Sequence, residues 1–458
     1  MSRILILIAI IMSTYGCVQN QPERDKKVSQ PNILLIFSDD HQASAINALG
    51  NPYIKTPNID KLVHEGTSMI ETFTETPTCA PSRAALLTGC GSLTHGTFYP
   101  SYTQGANKSL KRWPQVMKEA GYNTFWTGKF NAHGKPKEWG IENTSLIFQQ
   151  GMGDHNMTIK ENGKETKGFS SEIFADAMID FLNEPHDKPF FATVAFTAPH
   201  DPRTPPGKYA NMYKPNEVPL PANFMSQYNF VDGYDEIRDE VLLLYPRKVD
   251  DVRKEIADYY GMVSHMDEQI GRILDAIKQN QLEENTIVIY TSDNGLAIGH
   301  HGLLGKFSFY DHSLKVPLVM KGPGIRNNYK SDVRVYLHDL FPTICAMTGI
   351  DIPSTVESKS FVSALNGDNT IIHKYMFGSL SNLKRSVSTK DFKLIRHYRS
   401  NWHGQIKGTD EYLFIDIKND PLEIINEINN PEYAESIAEL KEVLKKRQIE
   451  KGDFLSAD

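Results

Sequence analysis

The chain has 458 residues and a formal net charge of −7 at pH 7. Hydrophobic residues make up 40% of it and charged residues 23%, which is the composition of an ordinary globular protein. The length favours one large α/β domain with a smaller second domain. A negative net charge argues against a nucleic-acid partner, because nucleic acids attract surplus basic residues.

The first residues predict an export signal. A short apolar run at 4–12 follows an arginine and ends just before Gly16-Cys17, and the segment up to residue 30 is polar. Such a run is typical of a signal peptide rather than a transmembrane helix, and no later run is long enough to span a bilayer. Gly16-Cys17 resembles a bacterial lipoprotein cleavage site. We therefore expect a signal peptide at 1–17 that ends at a lipid-bearing Cys17, and a flexible tether at 18–30.

These features predict a location. The protein is expected to be exported to the periplasm or outer membrane of a Gram-negative bacterium, with the lipid anchor as its only attachment to the membrane.

Four apolar runs predict strands that are buried on both faces of a mostly parallel sheet. Polar residues follow every run. The run at 31–38 precedes Asp39 and Asp40, and the run at 122–127 precedes Lys129. The run at 190–196 precedes His200, and the run at 286–291 precedes Asp293 and Asn294. Because ligands bind at the carboxyl edge of such a sheet, these side chains are expected to share one cleft.

The remaining segments predict helices, a rim and a second subdomain. A long loop at 201–246 is expected to shape the rim of the cleft, since it is too long for a plain connection. The other predicted elements are helices at 57–66, 256–278 and 434–448, a fifth buried strand at 316–320, and short strands at 385–389, 392–396 and 412–415. We place a catalytic domain at 31–368 and a small-sheet subdomain at 369–458.

The most informative stretch runs from Cys79 to Gly89 and reads Cys-Ala-Pro-Ser-Arg-Ala-Ala-Leu-Leu-Thr-Gly. Pro81 suits the first turn of a helix, so Cys79 is expected at a helix N-terminus, where free N–H groups favour negative charge. Arg83 follows one turn later on the same face. This arrangement predicts an anion site with a sulfur at its mouth, and a buried structural cysteine is the alternative.

This eleven-residue pattern resembles the signature of the type I sulfatases, which belong to the alkaline-phosphatase superfamily. The resemblance implies an alkaline-phosphatase-like α/β fold: a central, mostly parallel sheet flanked by helices, with a smaller C-terminal α+β subdomain. It implies hydrolysis of sulfate monoesters. It also implies that a formylglycine-generating or radical maturation enzyme converts Cys79 to formylglycine, whose hydrated aldehyde is the nucleophile.

A metal site is expected beside this cysteine. Asp39, Asp40, Asp293 and Asn294 offer only oxygen ligands, and three of the four are anionic. Such a set suits a hard cation, so Ca²⁺ is expected and Mg²⁺ is the runner-up. In the resembled family these positions bind the metal, with formylglycine, here at Cys79, as a further ligand.

The resemblance assigns roles to the basic residues. Arg83 would stabilise the hydrate, and Lys129 and Lys306 would bind the sulfate oxygens. His200 would protonate the departing sugar oxygen as general acid, and His133 would take a proton from the second hydroxyl.

His133 departs from the family pattern. The family usually places this histidine two or three residues after the lysine, but residues 130–132 are Phe, Asn and Ala, and the histidine comes fourth. His301, beside His300, and His312 are reserve candidates.

Charge and the rim favour a sulfated carbohydrate. Three carboxylates with one divalent cation leave one negative charge, which Arg83, Lys129 and Lys306 exceed, so a singly charged ester leaves a positive surplus for the transition state. Rim candidates offer stacking faces and hydroxyl-binding groups: Tyr99, Tyr102, Trp139, Arg203, His312, Trp402 and His403. The alternatives are a phosphonate or phosphate monoester hydrolase of the same fold, and a lipoprotein that binds sulfated glycan without cleaving it.

Two cysteines are left without a role. If Cys17 carries lipid and Cys79 is modified, only Cys90 and Cys345 could pair, and nothing in their spacing suggests a disulfide framework. We expect both to be free buried thiols.

Overall fold

The computed structural model describes residues 30–98, 107–228, 237–402 and 405–455. The strands are β1 Asn32–Ser38, β2 Thr67–Met69, β3 Thr72–Phe73, β4 Asn123–Lys129, β5 Asn143–Phe148, β6 Asn156–Glu161, β7 Lys164–Phe169, β8 Phe190–Ala195, β9 Thr286–Ser292, β10 Leu318–Lys321, β11 Tyr329–Ser331, β12 Val335–Tyr336, β13 Met376–Leu380, β14 Lys384–Ser388, β15 Phe392–His397, β16 Ser400–Trp402, β17 Gln405–Lys407 and β18 Tyr412–Asp416. The helices are α1 Pro57–Glu65, α2 Cys79–Thr88, α3 Ser92–His95, α4 Trp113–Glu119, α5 Ser170–Asn183, α6 Val249–Gln279, α7 Asp311–Leu314, α8 Leu340–Thr348, α9 Val362–Leu365 and α10 Ala434–Glu450.

The predicted signal peptide at 1–17 and the tether up to residue 29 lie outside the described residues. Within the described ranges, none of the helices combines the length and the apolar character needed to cross a bilayer.

An eight-stranded sheet forms the centre of the molecule, in the order β11-β2-β10-β9-β1-β8-β4-β5. The five strands from β9 to β5 run parallel to one another, whereas β10 pairs antiparallel with both β9 and β2. The predicted α/β class with a mostly parallel sheet is therefore confirmed. The fifth predicted strand is β10, at the antiparallel step.

Helices cover both faces of this sheet. In β1, Ile33, Leu35 and Phe37 pack into a core with α2, α4 and α8, whereas Leu34 and Ile36 pack into a second core with α1, α5 and α6. Successive side chains of a strand point to opposite faces, so a strand between two helical layers is apolar throughout. This is why β1 shows a continuous apolar run and no alternation.

Helix α6 begins at Val249, seven residues before its predicted start at 256. Asp250 and Asp251 occupy its first turn, where the helix dipole stabilises negatively charged carboxylates. Both are exposed, so no apolar periodicity marks this part of the helix.

The C-terminal part of the chain forms a four-stranded antiparallel sheet in the order β13-β14-β15-β18. Helix α10 packs on one of its faces through Ile437, Leu440 and Leu444. The other face contacts Phe307 and Phe309, which lie in the loop between β9 and α7. This small sheet therefore supports a loop that follows strand β9 of the large sheet.

Candidate active site

The carboxyl ends of four neighbouring strands bring the predicted side chains together. The strands β9, β1, β8 and β4 are consecutive in the sheet. Asp39 and Asp40 follow β1, Asp293 and Asn294 follow β9, His200 lies five residues after β8, and Lys129 ends β4. All of these side chains are buried.

Cys79 begins helix α2, as predicted, and it is 7% exposed. Its thiol donates to Oδ1 of Asp39 at 3.2 Å, and Nζ of Lys306 lies 3.1 Å from the sulfur. Burial raises the pKa of the Cys79 thiol well above its ordinary value, and Asp39 raises it further. The unmodified side chain is therefore a neutral thiol, although a lysine touches it.

The two consecutive aspartates each bind a different lysine. Oδ2 of Asp39 contacts Nζ of Lys129, and Nζ of Lys306 lies 2.7 and 2.9 Å from the two carboxylate oxygens of Asp40. Burial alone would raise the pKa of Asp39, but Lys129 and the other basic groups hold it well below its usual value. Asp40 has φ +64°, and this left-handed backbone turns the chain between the two aspartates and the residues that follow.

Asp293 and Asn294 close the cluster from the neighbouring strand. Oδ1 of Asp293 accepts from the backbone N–H of Asp40 at 3.1 Å, while burial and Asp39 raise the pKa of Asp293. Nδ2 of Asn294 donates to Oδ1 of Asp40 at 2.7 Å and to the carbonyl of Gly295 at 2.8 Å. Oδ1 of Asn294 is buried and accepts no hydrogen bond within the described protein.

This donor set fits a divalent cation. A buried acceptor without a partner is costly unless a ligand satisfies it, and Oδ1 of Asn294 is such an acceptor. The same side chain binds Asp40, and Asp39 and Asp40 repel Asp293, so a cation would relieve the cluster. Ligand atoms of Asp39, Asp40, Cys79 and His200 also lie within 4.8 Å of one another. His200, predicted as a general acid, is thus close enough to the carboxylates to join a metal site.

Two of the three guanidinium nitrogens of Arg83 bind other residues of the protein, which the sequence did not predict. Its Nε binds Oδ2 of Asp293 at 2.9 Å, and its Nη1 donates to the carbonyl of Lys129 at 2.8 Å. Nη2 is buried, 3.9 Å from Asp39, and has no hydrogen-bond partner in the described structure. Nη2 is therefore the atom left to meet a bound anion.

His200 presents one ring nitrogen to the cluster. Nε2 lies 3.6 Å from Oδ2 of Asp40, and Nδ1 lies 2.8 Å from the carbonyl of Asp201. The side chain is 8% exposed, so a substrate can reach Nε2 only through the mouth of the site.

The predicted second histidine lies in a different environment. His133 is exposed, and its carbonyl accepts from Nε1 of Trp139 at 2.6 Å. The other predicted catalytic side chains are all buried, so the role of His133 stays a prediction. Of the reserve histidines, His301 has its Nε2 3.1 Å from the carbonyls of Leu422 and Glu423. The ring of His312 stacks on that of His300 and lies next to the ring of His301.

The rim prediction was wrong for Trp139. This indole is 3% exposed and packs between Phe130 and the guanidinium of Arg112, because the 3₁₀ turn Pro136–Trp139 after β4 packs against the core. Arg203 is also buried and pairs with Glu255. Tyr99, Tyr102 and His403 lie outside the described residues.

Several supporting residues were missed. Oγ of Ser82 donates to the carbonyl of Asp293 at 2.6 Å, and the hydroxyl of Tyr259 donates to the carbonyl of Asp40 at 2.8 Å. Ser82 is inside the Cys79 motif and could have been singled out. Tyr259 is on α6 and carries no signal in the sequence. The two cysteines without a role, Cys90 and Cys345, are buried and unpaired, as predicted.

Comparison with known proteins agrees with this geometry. A match to the sulfatase family spans residues 31–350, and a match to the C-terminal region of N-sulphoglucosamine sulphohydrolase spans 299–450. The chain belongs to the sulfatase family. It is a sulfuric ester hydrolase, with the fold that the sequence motif predicted.

Individual sulfatases resemble the chain along most of its length. An N-acetylglucosamine-6-O-sulfatase from Bacteroides thetaiotaomicron is 26% identical, covering 98% of this chain and 91% of that protein. An arylsulfatase from Clostridium perfringens is 28% identical, covering 91% and 94%. A solved structure in complex with its substrate D-glucosamine-2-N,6-O-disulfate has a TM-score of 0.80 and 25% identity, covering 93% of this chain and 99% of that one.

Proposed function

We propose that this sulfatase removes sulfate from a sulfated carbohydrate, acting on a terminal sugar. The observation that carries the proposal is the environment of Cys79: its sulfur lies 3.2 Å from a carboxylate and 3.1 Å from a lysine, inside a buried cluster of acids and bases. Similarity to an N-acetylglucosamine-6-O-sulfatase and to a structure that holds a glucosamine disulfate supports a sugar over other sulfate esters.

We infer that the nucleophile is a formylglycine made from Cys79 by a maturation enzyme. A buried thiol with a raised pKa is a poor nucleophile, because the thiolate is the reactive form. A hydrated aldehyde carries two hydroxyl groups on one carbon. One hydroxyl can attack sulfur and the other can later lose its proton, so that the C–O bond to sulfate breaks and the aldehyde returns.

The cation is proposed to be Ca²⁺, with Mg²⁺ as the runner-up. Asp39 and Asp40 would hold it together with residue 79, since ligand atoms of these three lie within 4.8 Å of one another. Asp293 and Asn294, which bind the backbone and the carboxylate of Asp40, would complete the set. When bound, such an ion supplies positive charge that polarises the nucleophilic oxygen and neutralises the repelling carboxylates.

The basic residues divide the remaining work. Lys306 and Lys129 are buried cations beside Cys79 and Asp39, so they would hold the sulfate oxygens, and Nη2 of Arg83 would stabilise the hydrate. His200 would give a proton from Nε2 to the sugar oxygen while the S–O bond breaks. His133 remains the proposed base for release of sulfate.

The competing enzyme class is a phosphonate or phosphate monoester hydrolase. A phosphate monoester, which is close to doubly charged near pH 7, would remove the positive surplus that a sulfate monoester leaves in the site. A phosphonate monoester carries one negative charge, so the substrate panel has to distinguish it. A protein that binds sulfated glycan without cleaving it would keep the lysines but would not need Cys79.

Two experiments test the function. A panel of sulfated mono- and disaccharides, nitrophenyl sulfate and phosphate and phosphonate esters should show turnover highest on a sugar sulfate. Preference for the phosphorus esters would support the competing class, and a wide preference for the aryl ester would refute the sugar substrate.

The second experiment examines the nucleophile. Mass spectrometry of the active protein should find an aldehyde at residue 79 that reacts with a hydrazide. Cys79→Ala should abolish turnover, whereas Cys90→Ala, at another buried cysteine, should retain it. An active protein with an unmodified thiol would disprove the mechanism.

We also propose that the protein is exported and anchored by lipid at Cys17. Cys17→Ala should move the protein from the membrane fraction to the soluble exported fraction. A wild-type protein that is wholly soluble would contradict the anchor and leave the enzymatic proposal untouched.

A further inference from the structure

His200 is held from one side by the residue that follows it. Nδ1 of its ring lies 2.8 Å from the carbonyl oxygen of Asp201 and 3.4 Å from Oδ1 of the same residue. A carbonyl only accepts hydrogen bonds, so Nδ1 carries the proton in this contact. The opposite nitrogen, Nε2, consequently faces the cluster of acids.

The backbone of His200 is fixed as well. Nε2 of His155 lies 2.8 Å from the carbonyl of His200, and Nδ1 of His155 lies 2.9 Å from the hydroxyl of Ser170. Burial lowers the pKa of His155 to about 4, so this ring is neutral near pH 7 and donates through Nε2. The main chain at His200 therefore has little freedom to move, and the orientation of its ring depends on Nδ1.

The carboxylate of Asp201 is itself locked in place. Its Oδ2 contacts Nη2 of Arg238, which also lies 3.1 Å from Asp239 through Nη1. Asp201 is 4% exposed, and although burial would raise its pKa, His200 and Arg238 hold the pKa of this carboxyl below its usual range. The carboxylate behind the imidazole therefore has Oδ2 against Arg238, and its Oδ1 lies 3.4 Å from Nδ1 of His200, beside the shorter contact to the backbone carbonyl.

We propose that Asp201 is a positioning residue for the leaving-group proton transfer. Its carboxylate, fixed by Arg238, keeps the ring of His200 turned so that Nε2 points to the ester oxygen. Without this side chain Nδ1 keeps the backbone carbonyl of residue 201 but loses the charged oxygen 3.4 Å away. The ring is then less restricted about its χ angles, and Nε2 spends less time within reach of the ester oxygen. The inference rests on the proposed role of His200 as general acid.

The inference makes a prediction that a merely structural role does not. A sugar alkoxide is a poor leaving group and needs a proton as it departs, whereas a nitrophenolate is a stable anion and leaves without one. General acid catalysis contributes roughly 10²–10⁴-fold where it is needed. A residue that acts only by orienting the acid should therefore matter for the sugar ester and not for the aryl ester.

The experiment measures kcat and KM for a sulfated hexosamine and for nitrophenyl sulfate in matured enzyme. Asp201→Ala should lower kcat on the sugar sulfate about 10- to 30-fold, leave KM within about twofold, and change the aryl sulfate by less than about threefold. Asp201→Asn keeps the shape, loses the charge and should fall between Asp201→Ala and wild type. It also serves as the test if the alanine variant does not fold.

Two further variants complete the design. The double variant His200→Ala/Asp201→Ala should be no slower on the sugar than His200→Ala alone, because Asp201 acts through that ring. Asp332→Ala removes a surface carboxylate that pairs with Lys390 at 2.9 Å, and it should leave both substrates unchanged.

Three results would overturn the inference. Equal losses on both esters would make Asp201 a structural residue, and additive losses in the double variant would make it independent of His200. If His200→Ala itself affects both esters equally, the general-acid role fails first, and that outcome is visible without any Asp201 variant. Turnover of the sugar sulfate by wild type would still uphold the sulfatase function.

Discussion

Replacing Asn294 by aspartate should destabilise the metal-free protein more than the metal-loaded protein. Nδ2 of Asn294 lies 2.7 Å from Oδ1 of Asp40 and 2.8 Å from the carbonyl of Gly295, and both partners are acceptors. Asn294→Asp exchanges these two donated hydrogen bonds for contacts between oxygen atoms. Like charges about 4 Å apart repel by about 4 kcal/mol at an effective dielectric constant of about 20, and a lost hydrogen bond to a charged group costs about 1.5–3 kcal/mol.

Lys306, which lies 2.7 Å from Asp40, offsets part of this repulsion. We therefore expect the free energy of unfolding to fall by about 4 kcal/mol in a chelator, which lowers Tm by roughly 4 °C in a chain of this length. A bound cation turns the new carboxylate into a ligand. Wild type also gains stability from the ion, so the deficit shrinks only through tighter binding by the variant, and binding about 100-fold tighter recovers about 2.7 kcal/mol. The deficit in saturating Ca²⁺ should be less than half of that in the chelator.

Calorimetry of wild type and variant in both conditions measures the difference. Asn366→Asp, at an exposed asparagine, makes the same change of charge away from the site and should shift neither value. If Asn294→Asp lowers Tm equally with chelator and with calcium, Oδ1 of Asn294 does not face a cation and the argument for the ion site fails.

Three other changes test the surroundings of the site. Lys384→Met removes the donor, at 2.8 Å, to the carbonyl of Phe307, beside Lys306. Turnover should fall about fivefold and the free energy of unfolding by about 1–3 kcal/mol, and an unchanged kcat would contradict the coupling. In Arg83→Lys a single ammonium group cannot bind both Asp293 and the carbonyl of Lys129. Urea titrations should show a loss of about 3–5 kcal/mol in the free energy of unfolding, together with loss of activity. A variant as stable as wild type would refute the importance of these two contacts. Burial lowers the pKa of His95 to about 3, so the unfolded state binds more protons than the folded state below pH 6.5. The free energy of unfolding of wild type should therefore drop by about 2 kcal/mol between pH 6.5 and 5 because of this ring. In His95→Asn the plot of unfolding free energy against pH should be less steep by the equivalent of one proton.

The sequence predicted the strand ends well because burial on both faces leaves a simple mark. A run of apolar residues followed by acids locates Asp39 and Asp293 at one sheet edge, whichever order the strands take. The direction of β10 left no such mark, since a buried antiparallel strand has the same composition as a parallel one. The first turns of α6 were missed for a different reason: Asp250 and Asp251 are exposed, so no apolar period begins there.

Side-chain partners were harder to predict than side-chain neighbourhoods. The motif placed Arg83 near Cys79, but only the structure shows that Nε binds Asp293, that Nη1 binds the carbonyl of Lys129 and that Nη2 has no partner among the described residues. Trp139 looked like a stacking surface because composition cannot distinguish an exposed indole from a buried one. The proposed role of Asp201 depends on the orientation of the His200 ring and on Arg238, 37 residues away in the chain. Neither can be predicted from the residues next to Asp201 in the sequence.

The burial of α2 bears on how the protein is made. Every residue of that helix is buried, and the loop that carries Lys306 closes over Cys79 with the small sheet packed behind it. The strands of that sheet are synthesised last, long after the cysteine has left the ribosome. Under the proposed conversion of Cys79, an oxidising enzyme would therefore have access to this residue while the chain is still being synthesised or translocated, before the fold buries it. If folding is faster than oxidation of Cys79, the product would be an inactive molecule with the native fold. The active fraction of a preparation would then depend on the relative rates of folding and oxidation during biosynthesis.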